Sequence, residues 1–185
     1  PGLCAGYNEA MKNDLEVSIL NLLMHPQSAI SVRNAQHRAF LPDYSFGNHC
    51  HYEYELSFVL NGGYLVGING TFHEVHKGEM ILIAPQIVHS HVGNGVNMLE
   101  IIQLEYRVKA PAETIEGIPA LDMSQPFYIF RDAVFAVPVL ELICNYNRDQ
   151  PDVDQALMDF AFAQLFLLLS QRMRVPRMFQ EQKAN

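Results

Sequence analysis

Basic residues are few in this 185-residue chain: 12 Lys and Arg stand against 20 Asp and Glu, giving a formal net charge of -8 and a pI near 5.4. So acidic a chain is by itself a poor match for a phosphate backbone, and any DNA-binding role must reside outside it. Cysteine is scarce too. Cys4, Cys50 and Cys144 are widely spaced and form no CxxC pair, which excludes a disulfide framework and points to a reducing cytoplasm. The apolar block Leu165–Leu169 falls far short of the ~20 residues that span a bilayer. The opening PGLCAGYNEA lacks the basic flank and apolar run of a signal peptide, so a soluble protein with no membrane partner is expected. No Ser/His/Asp order and no phosphate-binding glycine loop is found, which leaves little room for nucleophilic catalysis. Internal repeats and low-complexity tracts are absent as well. What is present, 49% hydrophobic and 17% charged residues, suits one globular domain with a proper core.

The texture of the sequence changes twice. Between Asn13 and Leu23, the positions Leu15, Ile19, Leu22 and Leu23 recur with a helical period, and Asn13 and Glu16 have capping-box spacing. A short amphipathic helix ending at His25-Pro26 is expected. From Ser31 to Leu104 the chain breaks into short β-prone runs, among them YELSFVL, YLVGI, TFHEV and MILIA, punctuated by Gly, Pro and Asn. That is the pattern of a barrel or sandwich. Asn69-Gly70 supplies the two residues of positive φ that a type I′ hairpin needs, and Lys77-Gly78 marks the next turn.

Beyond a connector from Pro111 to Pro126 the helical period returns. Val139, Leu140, Leu142, Ile143 and Tyr146 follow Pro138, and a longer helix is expected from Val153 to Met173, capped by Asp152 with Gln155 at its third position. Within it, Phe160 to Leu169 is apolar on nearly every face except at Gln164. One face can cover the barrel; the remainder calls for the neighbouring helix or for a second subunit. Phe160, Leu165, Phe166 and Leu169 are the candidate contacts of a homodimer.

The chemistry concentrates in Asn48-His49-Cys50-His51-Tyr52-Glu53-Tyr54-Glu55. His49, His51 and Glu55 share the parity that places side chains on one face of a strand. His89, at the mouth of a later strand, is brought opposite them by barrel closure. Three imidazoles and a carboxylate suit Zn²⁺, Ni²⁺, Fe²⁺ or Mn²⁺. Glu53 has the same parity without an evident role. Cys50 and Tyr52 face the other way, His89-Ser90-His91 reads as part of a loop rather than a second site, and His73 and His76 are assigned to solvent.

The spacing His49-x-His51-xxx-Glu55-xxxxxx-Gly62 resembles the first cupin motif, with Asp43 where a glycine usually leads. Gly78 and His89 match the second motif, but Ala84 replaces its proline, Gln86 its glycine and Gly93 its asparagine. All four positions that ligate metal in cupins are kept, while the turn before His89 has drifted and predicts a poorly aimed imidazole. Among cupins, the stretch from Asn48 to Ser90 is most similar to the N-terminal domain of AraC-type regulators. The resemblance covers about residues 31–110 by motif and 130–175 by architecture. It implies a mainly β fold with C-terminal helices: a cupin-type double-stranded β-helix, or jelly-roll barrel, followed by an antiparallel two-helix dimerisation element.

The organisation expected is an N-terminal helical segment (1–30), the barrel (31–110), a connector (111–131), the dimerisation helices (132–175) and a linker (176–185) toward a helix-turn-helix DNA-binding domain that this chain lacks. The implied function is effector sensing and dimerisation in a transcription regulator, with a small-molecule effector as partner and DNA contacted only through that absent domain. Arg33, His37 and Arg38 can hydrogen-bond a sugar or a carboxylate inside the barrel, or equally form surface pairs. The alternative is a metal-dependent cupin enzyme, an oxygenase or isomerase.

Overall fold

A computed structural model of the chain describes residues 3–149 and 155–174, with side chains over 14–147 and 155–174. Helix α1 (Leu3–Met24) leads into β1 (Ala29–Phe40), β2 (Ser45–His49), β3 (Tyr54–Asn61), β4 (Gly63–Ile68), β5 (Thr71–His76), β6 (Met80–Ile83), β7 (His89–Gly93) and β8 (Leu99–Lys109). A single turn, α2 (Ala112–Ile115), and strand β9 (Phe127–Phe130) precede α3 (Val137–Asp149) and α4 (Gln155–Met173). The strands form two antiparallel sheets in the orders β1-β8-β3-β6-β9 and β2-β7-β4-β5. Setting aside β9 at the edge, this alternation of eight strands between two four-stranded walls is the double Greek key of a jelly roll. The fold is thus a cupin-type barrel with C-terminal helices.

The five-stranded sheet is buried on both faces, which explains why YELSFVL reads as a nearly unbroken apolar run. Leu56, Phe58, Ile102, Leu104 and Tyr106 face outward and pack beneath the helices. Val59, Leu99, Ile101, Ile81 and Ile83 face inward against Tyr64, Val66, Ile68 and Val75 of the opposite wall. Two cores therefore share one sheet. The β4–β5 hairpin closes at Asn69-Gly70, whose φ values of 52° and 78° are those of the expected turn.

Several boundaries differ from expectation. Helix α1 begins at Leu3, so Asn13 and Glu16 lie within the helix and form no capping box. Leu15, Ile19 and Leu22 nonetheless bury the expected face. The proposed cap Asp152 lies outside the described residues. The connector is structured: β9 extends the five-stranded sheet alongside β6, the Tyr54 hydroxyl donates to Leu121 O at 2.8 Å, and the Ala120 amide donates to Ser170 Oγ at 3.1 Å. Short turn-rich segments of this kind have no periodicity to detect.

The largest correction concerns α4. Leu165, Phe166 and Leu169 are fully buried inside the chain, and Tyr106 of β8 meets Phe162 and Phe166 with ring centroids 5.0 and 5.9 Å apart. The apolar surplus is covered by the barrel and by the neighbouring helices, because the sheet offers an entire second face to bury. Of the four candidate dimer contacts only Phe160, 64% exposed, is free to meet a second subunit.

Candidate functional site

The chain crosses from one sheet to the other between His49 and Tyr54, and that crossing builds the site. His49 is the last residue of β2 and pairs in register with His89, the first residue of β7. His51 lies in the crossing itself, and Glu55 is the second residue of β3 in the opposite sheet. The four residues do not share one strand, so alternation is not what aligns them; the sheet crossing is. One ligand atom from each of His49, His51, Glu55 and His89 lies within 4.8 Å of the others.

Glu55 is at the centre and buried. Its Oε2 is 3.2 Å from His51 Nε2 and 3.1 Å from His89 Nε2, and its Oε1 accepts from Gln103 Nε2 at 3.1 Å. Burial pushes its carboxyl toward the neutral form, but the bonds from the surrounding imidazoles prevail and hold its pKa well below the usual carboxylate value. The carboxylate bond raises the pKa of His51 against the opposing effect of burial. For His49 burial prevails over its Gly47 contact, and the pKa is lowered.

Each ring is oriented from behind. Nδ1 of His49, His51 and His89 lies 3.0, 3.1 and 2.8 Å from the carbonyls of Gly47, Glu53 and Ile87. A neutral imidazole with its proton on Nδ1 points a lone pair from Nε2 toward the centre. His51 and His89 can serve a carbonyl and Glu55 at once only as imidazolium or with a cation between Nε2 and the carboxylate. Three such nitrogens and a carboxylate oxygen, with tautomers set by backbone carbonyls, fit a divalent transition metal.

The drifted second motif keeps its shape. Gln86 takes the left-handed conformation of the glycine it replaces, with φ 62°, and its amide donates to His51 O at 2.7 Å. The expectation of a poorly aimed His89 is therefore corrected: a backbone bond between the two motifs holds the turn. A side chain costs ~1–2 kcal/mol in this conformation, against ~0.5–1 kcal/mol of extra chain entropy lost by glycine. Gln86→Gly is expected to leave stability unchanged or raise it by up to about 1.5 kcal/mol, which is about 3–6 °C in Tm for a chain this size. A clear fall on thermal denaturation would mean that the Gln86 side chain, not its backbone, holds the turn.

The site opens into a cavity of about 240 Å³ inside the barrel, with Arg33, Arg38, Phe40, Tyr44 and Gln103 in its walls. Two of the three expected effector residues line it. His37 does not; on β1 it alternates with Arg38, points to the helices and pairs with Glu141 of α3 at 2.9 Å. Arg33 reaches the cavity because the β1–β8 register shifts between Val32 and Asn34, giving it a direction that parity would deny. Glu53 proves to be an anchor, accepting from Arg107 of β8 at 2.6 Å and Arg33 of β1 at 3.3 Å, so the crossing that carries His51 is tied to two strands. His91 was missed. It is a buried residue of β7, not part of a loop, with Nε2 3.2 Å from Glu55 Oε1. Its even spacing from His89 was the available signal.

Residues 35–174 match the family described as the AraC-like ligand binding domain. No curated protein matches the chain. Among solved structures, ToxT from Vibrio cholerae O395 bound to (E)-4-(8-methylnaphthalen-1-yl)but-3-enoic acid is similar over 75% of this chain and 57% of its own, at 10% identity and a TM-score of 0.48. The protein YhaK from Escherichia coli is similar over 55% of this chain and 42% of its own, at 16% identity and a TM-score of 0.43. A predicted oxalate decarboxylase from Thermotoga maritima is similar over 49% and 74%, at 22% identity and a TM-score of 0.38.

Proposed function

Because the chain belongs to the AraC-like ligand binding domain family, we propose that it is the effector-sensing and dimerisation half of a transcription regulator, acting on DNA through a separate helix-turn-helix domain. The observation that carries this reading is the partly enclosed cavity between the two walls, lined by Arg33 and Arg38 on the strand that also carries the helices. One face of β1 borders the cavity. The other meets α3 through the His37–Glu141 pair, and the Ile30 carbonyl of β1 accepts from Gln155 of α4 at 3.2 Å. An effector that shifts β1 therefore acts directly on the helices, and a coupling of ~1–3 kcal/mol suffices for regulation. The outer stripe of α4 around Phe160 is the proposed subunit contact, and the cytoplasm the proposed setting.

His49, His51, Glu55 and His89 would hold a divalent transition metal, which supplies a Lewis-acidic point for an effector oxygen. The complete ligand set also favours a second reading, a metal-dependent cupin enzyme. The test fuses the chain to a DNA-binding domain of known operator and measures reporter output against a library of small metabolites, alongside melting of the isolated chain. An effector is expected to raise Tm and to change reporter output, and Arg38→Gln to abolish both. A ligand that is consumed and leaves the reporter unchanged would replace the sensor reading with the enzyme.

A further inference from the structure

Barrel interiors are apolar except where a polar group has a partner, since a buried hydroxyl or imidazole without one is costly. Three such groups line the cavity: Ser57 Oγ and Tyr64 OH are buried with no hydrogen-bond partner within the chain, and His91 Nε2, although 3.2 Å from Glu55 Oε1, does not meet it in hydrogen-bonding geometry. They come from both walls, Ser57 from β3 and Tyr64 and His91 from the adjacent strands β4 and β7, with the Tyr64 and His91 rings stacked at 5.6 Å. Ser57 lies near enough to influence the Tyr64 phenol, yet outside hydrogen-bonding geometry. Burial, reinforced by the Glu55 charge, raises the Tyr64 pKa far above its usual value and keeps it a hydroxyl donor. A phenol that donates, a serine that does either and an imidazole nitrogen together match an oxygen that both gives and takes a hydrogen bond. A ligand hydroxyl supplies such an oxygen.

The cavity also has an uncompensated charge. Glu105 is taken by Arg33 at 3.4 Å and Glu55 by the imidazoles, and among the described residues Arg38 makes no ion pair. A guanidinium at the wall of a partly enclosed cavity favours a carboxylate, which it can hold with two parallel bonds. Its cross-strand neighbour Ile101, with Leu99 opposite Phe40, gives the same wall an apolar stretch. The volume, about 240 Å³, is below the ~300–1,000 Å³ of sites for drug-sized ligands.

We infer that the occupant of the barrel is a small hydroxycarboxylate, its carboxylate paired with Arg38 and its hydroxyl held by Ser57, Tyr64 and His91. This rests on the effector reading above and assigns the chemical class that reading leaves open. The test titrates the full chain with three sets of probes: lactate and 3- and 4-hydroxybutanoate; propanoate and butanoate; and the neutral polyols glycerol and erythritol. Methyl NMR signals of Leu99 and Ile101 report occupancy. At least one hydroxy acid is expected to bind tenfold or more tightly than its hydroxyl-free counterpart. Ser57→Ala and Tyr64→Phe should remove that advantage without lowering Tm, and Arg38→Gln should weaken both kinds of acid tenfold or more. A merely structural role predicts the opposite: a lower Tm with affinity intact. Polyols binding as well as the hydroxy acids, with Arg38→Gln without effect, would overturn the inference and leave the effector pocket standing. If no probe of any set moves the cavity methyls, the hydroxycarboxylate is ruled out; if the metabolite library is then equally silent, the pocket reading fails with it.

Discussion

Glu55→Ala is expected to destabilise the metal-free chain by about 3–5 kcal/mol, the usual cost of removing one partner from a buried ionic cluster, and to lower Tm by roughly 6–20 °C. The carboxylate is the common partner of His51, His89 and Gln103, and its loss leaves two buried groups, His89 and Gln103, and the half-buried His51 without it. Zn²⁺ or Ni²⁺ is expected to raise the Tm of the wild type by mass action on the folded state, and the same substitution should abolish that stabilisation. pH separates the two contributions. Glu55 has a folded pKa well below 4.5, so its contribution is present above that value and is lost as pH falls through the folded pKa. The raised pKa of His51 works in the other direction: its contribution is full below 6.5 and is lost as pH rises through the folded value. A metal needs the neutral imidazole, so metal stabilisation should grow over the same rise. Melting curves with and without Zn²⁺ from pH 5 to 8.5 are expected to diverge as pH increases, and to coincide in Glu55→Ala. An undiminished Zn²⁺ shift in that variant would place the metal elsewhere.

The site was legible in the sequence for a reason other than the alternation that first suggested it. Alternation requires a strand through residues 49–55, and the chain instead leaves one sheet at His49 and enters the other at Tyr54. The motif spacing captures that crossing without describing it, which is why it located His49, His51, Glu55 and His89 correctly relative to one another. Where the strand is real, alternation succeeds: applied to His89-Ser90-His91 it identifies His91, and applied to His37-Arg38 it separates them onto opposite faces. It fails at Arg33, because a local register shift leaves no mark in composition. Gln86 shows the limit of motif matching. The lost glycine suggested a lost turn, yet the left-handed conformation persists because the amide bond to His51 O maintains it. Helical periodicity found α4, but could not tell an apolar face covered by the chain's own sheet from one awaiting a partner.

That last ambiguity is resolved by two substitutions of opposite expected outcome. Phe166 is fully buried and meets Tyr106 and Phe162 at ring centroid separations of 5.9 and 5.7 Å, so Phe166→Ala removes packing in the core between barrel and helices. Loss of a buried phenylalanine costs ~3–5 kcal/mol, or roughly 6–20 °C in Tm. The effect should be the same at every protein concentration, because the contacts lie within one chain. Phe160 is 64% exposed beside Leu157, also exposed at 46%, on the side of α4 that faces away from the core. Phe160→Glu should therefore shift the stability of the isolated subunit by no more than about 0.5 kcal/mol. If this stripe is the dimer contact, the variant puts two buried, unpaired carboxylates at the two-fold axis or near it, and light scattering at tens of micromolar should report monomer where the wild type is a dimer. Melting without loss in Phe166→Ala would mean that α4 does not pack on the barrel as described. A dimer that persists in Phe160→Glu would move the subunit contact off this helix, to another exposed apolar surface such as Val17, Leu20 and Met24 of α1.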